Sequence, residues 1–373
     1  MKKYAHFLIH NSVGWNKIFI EMIVSDNRFQ LDNHLFITVN EELYSIFKNK
    51  CDIIYESIND YSKLVNKYGD EACWLILHSL PAGWGRDFRI DKKFYDKIIW
   101  RTWGHDSSPA RYYSGLLSIL RHPKWILKGD WKLVLKDIKN MRGFKKLRQF
   151  KAIGLGSSID RFAILKYFRN KKKANTYVLC YGQPGEYEIL HENKSNNSQD
   201  GLYHVMVGHS GYGDDHIKII DMLKAYEKEK IKLHFILSYG EKDYIESVVS
   251  YIKGNWHGQY EVLSESLSYN DYSNYLSYMD AAILDGMESY ALGNVAILMF
   301  YGKKVFLNSK GLLSYAFTKF NIYHESTDKI GKLSFDEFIQ PVKGCTQNER
   351  YHLLTYDEIL EQWKKMFDDL DAE

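Results

Sequence analysis

The sequence has few cysteines and little net charge, and each shortage argues against a class of protein. Only four cysteines occur among the 373 residues, and none forms a C-x-x-C pair. Two of them, Cys73 and Cys180, lie within apolar runs, which indicates reduced and mostly buried thiols in a cytoplasmic protein rather than a disulfide framework or a zinc site. The formal net charge of +3 is too small to indicate a nucleic-acid-binding protein by itself.

Long hydrophobic runs are also missing. No run approaches the roughly eighteen residues that a membrane-spanning helix requires. The N-terminal stretch MKKYAHFLIHNSVGW passes into polar residues too soon for a signal peptide. We therefore expect a cytoplasmic protein without a membrane span, which could still lie peripherally on the inner face of the cell membrane.

The sequence does contain a regular alternation of short apolar runs and helical patterns, which is typical of parallel α/β sheets. We predict a Rossmann-like domain over 1–182, a polar and turn-rich linker over 183–201, a second Rossmann-like domain over 202–350 and an amphipathic helix over 351–373. Two such domains facing a cleft, with a C-terminal helix, form the GT-B arrangement of glycosyltransferases. Some sugar-nucleotide epimerases share this arrangement.

A glycine-rich turn separates an apolar run from a helical pattern in VMVGHSGYGDDHIKIID, residues 205–221. Glycines let the backbone approach an anion closely, and a helix start offers N–H groups and the positive end of its dipole. The turn therefore suits a diphosphate, but it equally suits a tight turn in which Asp214 or Asp215 caps the helix. It matches neither G-x-S-x-G nor the P-loop. A metal site is disfavoured, because Asp214, Asp215 and His216 would point apart on a helix.

A second turn of the same kind lies in DAAILDGMESYALGNVAILMFYGKKVFLN, residues 280–308. A strand ends there, a polar loop with Glu288 and Ser289 follows, and Gly293 and Asn294 open an apolar helix. Two strand-to-helix turns at the carboxyl ends of one sheet are where open α/β domains bind ligands. Glu288 could accept hydrogen bonds from ribose hydroxyls, or it could be an exposed loop residue.

The stretch IIWRTWGHDSS, residues 98–108, places Arg101, Trp103, His105 and Asp106 at the end of a strand in the other half. A general base for an inverting sugar transfer must be a carboxylate or an imidazole that faces the donor. Asp106 and His105 fit that role. The alternative is that Asp106 or Ser107 caps the helix that follows.

A basic segment follows. Residues 121–151 hold eleven Lys and Arg against two Asp, with interleaved aromatic residues. Such segments bind anionic bilayer surfaces or nucleic-acid phosphates. No nucleic-acid-binding motif accompanies this one, so we favour a membrane surface, with a solvated helical face as the remaining alternative.

Taken together, these motifs resemble glycosyltransferase family 56, whose members move 4-acetamido-4,6-dideoxygalactose (Fuc4NAc) from a dTDP donor onto a lipid-linked disaccharide in enterobacterial common antigen synthesis. The resemblance is clearest over about 200–310 and rests on RTWGHD (101–106), VGHSGYGDDHI (207–217), SYG (238–240), LSESLSYNDYSNYLSYMD (263–280) and the register from Asp280 through GKKVFLN.

The resemblance implies a GT-B fold in which the C-terminal domain binds the nucleotide sugar and the N-terminal domain binds an undecaprenyl-diphosphate-linked acceptor. It implies no essential metal and no cofactor. Expected at the acceptor cleft are Arg101, Trp103 and Gly104. Expected at the donor are Gly208, His209, Ser210, Gly211, Tyr239, Tyr272, Glu288, Ser289, Gly293 and Asn294.

We therefore expect a glycosyltransferase that moves Fuc4NAc or a related dideoxy-amino sugar from its dTDP donor to a lipid-linked saccharide of a bacterial surface polysaccharide. Asp106, or secondarily His105, is the expected base for the acceptor hydroxyl. A sugar-nucleotide 2-epimerase of the same two-domain shape is one alternative. A non-catalytic protein that binds membrane and nucleotide is the other.

Overall fold

The computed structural model describes residues 2–9, 13–58, 60–80, 89–103, 106, 147, 149–157, 175–193, 198, 200–210, 216–286, 291–340 and 353–373. Most of the basic segment 121–151 lies outside these ranges. Five predicted site residues also lie outside them: Gly104, His105, Gly211, Glu288 and Ser289. The chain divides into two units, one formed by Met1–Gln183 with Tyr356–Glu373 and the other by Pro184–Thr355.

The described part of the first unit is built on a parallel sheet of seven strands in the order β3-β2-β1-β4-β5-β6-β7. Its strands are β1 Lys2–Leu8, β2 His34–Thr38, β3 Ile53–Tyr55, β4 Ala72–His78, β5 Ile98–Arg101, β6 Ala152–Leu155 and β7 Asn175–Val178. Its first helices are α1 Val13–Ser25, α2 Glu41–Phe47 and α3 Tyr61–Tyr68. Asn40 and Asp60 cap α2 and α3 with their side chains, which fixes where these two helices begin.

The second unit carries, among its described residues, a parallel sheet of six strands in the order β10-β9-β8-β11-β12-β13. Its strands are β8 Tyr203–Val207, β9 Ile231–Ile236, β10 Gln259–Leu263, β11 Ala281–Leu284, β12 Lys304–Leu307 and β13 Glu325–Ser326. Its helices are α4 Glu186–Glu192, α5 His216–Leu223, α6 Lys242–Asn255, α7 Tyr269–Ser277, α8 Leu292–Phe300, α9 Leu312–Phe320 and α10 Phe335–Ile339. Helix α4 lies inside the stretch 183–201, for which the sequence indicated only a linker.

The last helix, α11 Tyr356–Asp371, belongs to the first unit although it follows the second in the chain. Its apolar face is buried as its periodicity predicts, through Ile359, Leu360, Trp363, Met366, Phe367 and Leu370. The indole Nε1 of Trp363 donates to the carbonyl oxygen of Cys180 at 2.7 Å. In the part of the chain that the structure describes, no helix is both long enough and apolar enough to cross a membrane.

Both sheets reverse their strand order once. The chain moves outward from β1 to β2 and β3 on one side, and from β4 to β5, β6 and β7 on the other. The second sheet does the same at β8 and β11. Beyond the carboxyl ends of such a strand pair the connections diverge, and the crevice between them is the usual ligand site of an open α/β sheet.

Candidate functional site

In the second sheet the reversal point brings together the two turns that the sequence singled out. Val205 and Val207 on β8 pair in register with Ala281 and Ile283 on β11. The turn after β8 begins at Gly208, and the turn after β11 begins at Asp285. Two segments that lie 67 or more residues apart in the chain are thus neighbours at the carboxyl edge of the sheet.

Gly208 holds the first turn in a conformation that suits glycine alone. Its φ is +64°, and its N–H donates to the carbonyl oxygen of Ile283 at 2.9 Å. A Cβ atom built on Gly208 would lie 2.1 Å from Nε2 of His216. The backbone and the His216 ring are therefore in direct contact, and His209 and Ser210, which follow Gly208, are buried.

His216 begins helix α5 immediately beside this turn. Its ring is fully buried, and Nδ1 lies 3.0 Å from the hydroxyl of Tyr244 on α6. The ring therefore fixes the start of α5 against Gly208 on one side and against α6 on the other.

The two turns are joined by an ion pair between Lys218 on α5 and Asp285 after β11. Asp285 is 5% exposed, and its Oδ1 accepts a hydrogen bond of 2.6 Å from the hydroxyl of Thr327. Its backbone oxygen accepts from Nδ2 of Asn308 at 2.9 Å. The Lys218 side chain remains half exposed, so a positive charge is held at the reversal point where solvent and ligands can reach it.

The sequence reasoning did not single out Lys218 or Asp285. The available signal was a lysine in the first turn of the helix after the glycine-rich turn, together with an acid at the carboxyl end of the neighbouring strand. Only the pairing of β8 with β11 shows that the two belong to one site.

Three of the predicted donor residues are also brought together. The hydroxyl of Tyr272 on α7 is hydrogen-bonded to the side chain of Asn294 on α8, and Tyr239 lies close enough to act on it electrostatically. Burial, aided by Tyr239, raises the pKa of Tyr272 well above its usual value, so this hydroxyl stays protonated at neutral pH. Tyr239 is 49% exposed, so its ring is open to solvent.

Gly293 opens α8 beside Asn294, and nothing lies within 4 Å of the position that its Cβ would occupy. The residue before α8, Ala291, has a φ of +58°, which is unusual for a residue with a side chain. The second turn therefore leaves open space at Gly293, where a ligand can approach the backbone, and carries local strain next to it.

In the first sheet, the predicted base Asp106 is 1% exposed. Its Oδ2 accepts from the backbone N–H of Leu80 and from the indole N–H of Trp100, both at 2.9 Å. Its Oδ1 accepts from the backbone N–H of Trp103 at 2.8 Å. These contacts favour a role in which Asp106 holds the loops after β4 and β5 together, and its role as a base stays a prediction.

Arg101 and Trp103, both predicted at the acceptor, form a cluster with Tyr181. The Arg101 guanidinium carbon lies 3.8 Å from the Tyr181 ring centroid and 5.5 Å from that of Trp103, and Nε donates to the carbonyl oxygen of Leu179 at 3.0 Å. Trp15, which is 48% exposed, stands edge-on to Trp103 with ring centroids 6.3 Å apart. The cluster presents aromatic surface and one buried cation at the carboxyl edge.

Tyr181 and Trp15 were not among the predicted site residues, and a lone tyrosine after β7 or a lone tryptophan in α1 gives no signal in the sequence. Within the described ranges, no group of three His, Cys, Asp or Glu side chains lies close enough to hold a metal ion.

No family model and no curated protein matches the sequence. Solved structures do match it over almost the whole chain. A trehalose 6-phosphate synthase of Burkholderia multivorans matches with a TM-score of 0.59 and 10% identity, over 100% of this chain and 97% of that one. HepE of Anabaena, solved with UDP-glucose, matches with a TM-score of 0.59 and 12% identity over 99% and 100%. A glycosyltransferase of Rickettsia africae matches with a TM-score of 0.54 and 11% identity over 99% and 98%.

At these identities the likeness concerns the fold. The chain has the GT-B fold class that the sequence predicted, with two parallel Rossmann-like units and a C-terminal helix.

Proposed function

We propose that the protein is a glycosyltransferase that takes a sugar from a nucleoside-diphosphate donor and transfers it to an acceptor hydroxyl. The observation that carries the proposal is the reversal point of the second sheet, where the backbone at Gly208 and the half-exposed ammonium of Lys218 adjoin the second turn. The fold is shared with HepE, which was solved with UDP-glucose, and this supports a sugar-nucleotide donor.

In this proposal the donor diphosphate lies at the turn after β8. When the bond from the anomeric carbon to the diphosphate breaks, the electron pair leaves with the diphosphate, and Lys218 stabilises the negative charge that develops there. The buried Asp285 and Thr327 keep Lys218 in place, so that the charge is positioned before the reaction. Because a lysine supplies the positive charge, the reaction needs no metal ion at this position.

Tyr239, Tyr272 and Asn294 would contact the nucleotide or its sugar, with Gly293 giving the ligand room. The exposed Tyr239 offers a ring face for stacking. The Tyr272 hydroxyl and the Asn294 amide are hydrogen-bonded to each other, and each has further capacity to donate or accept that a matching group of the donor can use.

The finer proposal is a dTDP donor that carries Fuc4NAc or a related dideoxy-amino sugar, and an undecaprenyl-diphosphate-linked saccharide as acceptor. It rests on the sequence motifs described above. The basic segment 121–151 would hold the enzyme on the anionic cytoplasmic face of the membrane. The acceptor would lie at the carboxyl edge of the first sheet, near Arg101 and Trp103.

The first experiment is thermal unfolding of the protein with a panel of nucleoside diphosphates, with and without EDTA. A nucleotide at a hundred times its Kd stabilises a folded protein by about 2.7 kcal/mol, which is a visible shift. We expect dTDP to give the largest shift, EDTA to leave it unchanged and Lys218→Gln to remove most of it.

Lys224→Gln is the matched control, because Lys224 follows α5 directly and its contacts, an ion pair of 3.0 Å with Asp221 and the ring of Tyr251 at 5.6 Å, do not include the two turns. No shift with any nucleotide would overturn the proposal. Turnover of a free nucleotide sugar to its 2-epimer without any acceptor would replace it with the epimerase alternative.

A further inference from the structure

A continuous row of buried imidazoles crosses the sheet of the first unit. Nδ1 of His34 on β2 lies 2.9 Å from Nε2 of His6 on β1. Nδ1 of His6 lies 3.0 Å from Nε2 of His78 on β4. Nδ1 of His78 lies 2.5 Å from the hydroxyl oxygen of Tyr181. The three histidines are at most 2% exposed. The row runs from the amino end of β2 to the carboxyl end of β4.

The three imidazoles are neutral at physiological pH. Burial, followed by the charge of Lys2, lowers the pKa of His34 to about 3. Burial likewise lowers the pKa of His6 and of His78 well below the usual value, with neighbouring imidazoles acting on His6 and Arg101 acting on His78. The other titratable or charged groups that face the row are Tyr4, Tyr61, Asp106 and Asp371.

Neutrality and geometry together restrict the tautomers. A neutral imidazole has one N–H and one lone-pair nitrogen. Each link in the row joins Nδ1 of one ring to Nε2 of the next. If every link is a hydrogen bond, the three rings must all carry the proton on Nδ1 or all carry it on Nε2. In the first state His78 donates to Tyr181, and in the second Tyr181 donates to His78.

The two ends of the row differ. Tyr181 lies at the carboxyl edge, with its ring against Arg101 and Trp103, which are the residues assigned to the acceptor. His34 lies beside the ring of Tyr4, and Tyr4 donates a hydrogen bond of 2.6 Å to Oδ1 of Asp371. Asp371 is partly exposed, and its charge acts on His34.

We propose that His34, His6, His78 and Tyr181 form a proton relay that serves the acceptor hydroxyl at the carboxyl edge of the first sheet. This inference rests on the proposed glycosyl transfer, which releases one proton from that hydroxyl for each bond formed. Tyr181 is 9% exposed, whereas the three histidines are at most 2% exposed. It is therefore the member of the relay that would meet the substrate, and the histidines act through it as positioning residues.

Each proton moves by one link along the row. As the acceptor oxygen bonds to the anomeric carbon, its proton passes to the Tyr181 oxygen, and the Tyr181 proton passes to Nδ1 of His78. The Nε2 proton of His78 moves to Nδ1 of His6, the Nε2 proton of His6 moves to Nδ1 of His34, and the Nε2 proton of His34 leaves towards Asp371. The row changes from the all-Nε2 state to the all-Nδ1 state. It returns after product release, when a proton from solvent enters at Nε2 of His34, each link passes its proton back towards Tyr181, and Tyr181 gives a proton to water.

The kinetic test replaces His6 with glutamine, which can hydrogen-bond but cannot exchange one proton for another. General acid–base catalysis contributes roughly 10²- to 10⁴-fold, so we expect kcat to fall at least tenfold while the KM for donor stays within about twofold. The kinetic solvent isotope effect on kcat should indicate that several protons move together in the transition state of the unaltered protein, and fewer in that of His6→Gln. Tyr181→Phe should cause a similar loss of kcat.

The double variant separates a relay from independent packing effects. Members of one relay fail together, so His6→Gln with Tyr181→Phe should lose no more kcat than either single variant. If the loss of kcat in the double variant equals the product of the losses in the two single variants, the relay is overturned. His234→Gln is the matched control, since His234 is buried in the second unit between His204 at 2.8 Å and Tyr275 at 2.8 Å. It should change kcat less than threefold.

A measurement without variants covers the case in which His6→Gln fails to fold. Long-range ¹H–¹⁵N spectra of the full chain at pH 7 report the tautomer of each histidine. One tautomer shared by His6, His34 and His78 supports the relay, and different tautomers or a protonated ring overturn it. Failure of the proposed function itself looks different, because the unaltered protein would then neither bind a nucleotide nor transfer a sugar.

Discussion

Nδ1 of His6 and Nε2 of His78 lie 3.0 Å apart, on adjacent strands inside a sheet that excludes water from both rings. Burial is the largest cause of the lowered pKa at each of them and at His34. An imidazole that stays neutral when folded but takes up a proton near pH 6.5 when unfolded makes stability depend on pH.

The first prediction is a steep loss of stability in acid. Below about pH 6.5 the unfolded chain binds protons that the folded chain does not, so the contribution of each histidine is present above that pH and lost as the pH falls. Each contributes a slope of about 1.4 kcal/mol per pH unit, or about 4 kcal/mol per unit for the three together. For His34 the loss continues to about pH 3.

Denaturant unfolding at several pH values between 8 and 5 would measure this slope. His34→Gln should reduce this slope by the contribution of one histidine, about 1.4 kcal/mol per pH unit. Replacing the exposed His257, which pairs with Glu227 at the surface, should leave the slope nearly unchanged. An equal slope in His34→Gln and the unaltered protein would contradict the prediction.

The second prediction concerns Gly208→Ala. A side chain at a φ of +64° costs about 1–2 kcal/mol, and the new Cβ would collide with the His216 ring. We expect a free energy of unfolding lower by at least that amount, and weaker nucleotide binding. Adding His216→Ala should remove the collision but not the backbone strain. Gly208→Ala should therefore lower the free energy of unfolding less in the His216→Ala protein than in the unaltered protein, but should still lower it.

The third prediction separates the two roles of Asp106. Asp106→Asn places an amide N–H among three donors, those of Leu80, Trp100 and Trp103. A structural role predicts a loss of about 1–3 kcal/mol in stability. A catalytic role alone predicts an unchanged melting temperature and a large loss of kcat. Thermal unfolding and a transfer assay on the same preparation decide between them.

The fourth prediction concerns the exposed face of Trp15. Its ring is half exposed while its edge contacts Trp103, so a sugar ring of the acceptor can stack on it. Trp15→Ala should raise the KM for acceptor severalfold and leave nucleotide binding unchanged. Tyr315→Ala is the control, because Tyr315 is similarly exposed on α9 in the other unit. Equal effects of the two variants would argue against a specific contact of Trp15.

The sequence predicted parallel α/β sheets because buried parallel strands appear as short apolar runs, and the described part of each unit contains a parallel sheet. It also placed Gly208 in the turn after a strand and Asn294 at the start of a helix, where the structure has them. It predicted the alternation of strands and helices but gave no bounds for α1, α2 and α3. It treated the terminal helix as a separate segment, because a periodic apolar face does not say which sheet it covers.

The details of the sites depend on contacts between distant residues. Asp106 appeared as a base because the sequence does not show that the N–H of Leu80, 26 residues earlier, reaches its carboxylate. Lys218 meets Asp285 across 67 residues, and His6 meets His78 across 72. Such pairs follow from strand order and register, which short-range patterns do not specify.

Helix α11 also has a consequence for the order in which the protein is made. The unit translated first needs Trp363, which is fully buried and bonded to Cys180, and the ribosome reaches Trp363 only after it has made the whole second unit. The first unit therefore cannot finish folding before Trp363 has been made. Its sheet lacks part of its cover until Trp363 leaves the exit tunnel, and during that interval an apolar surface that the folded protein conceals is open to chaperones.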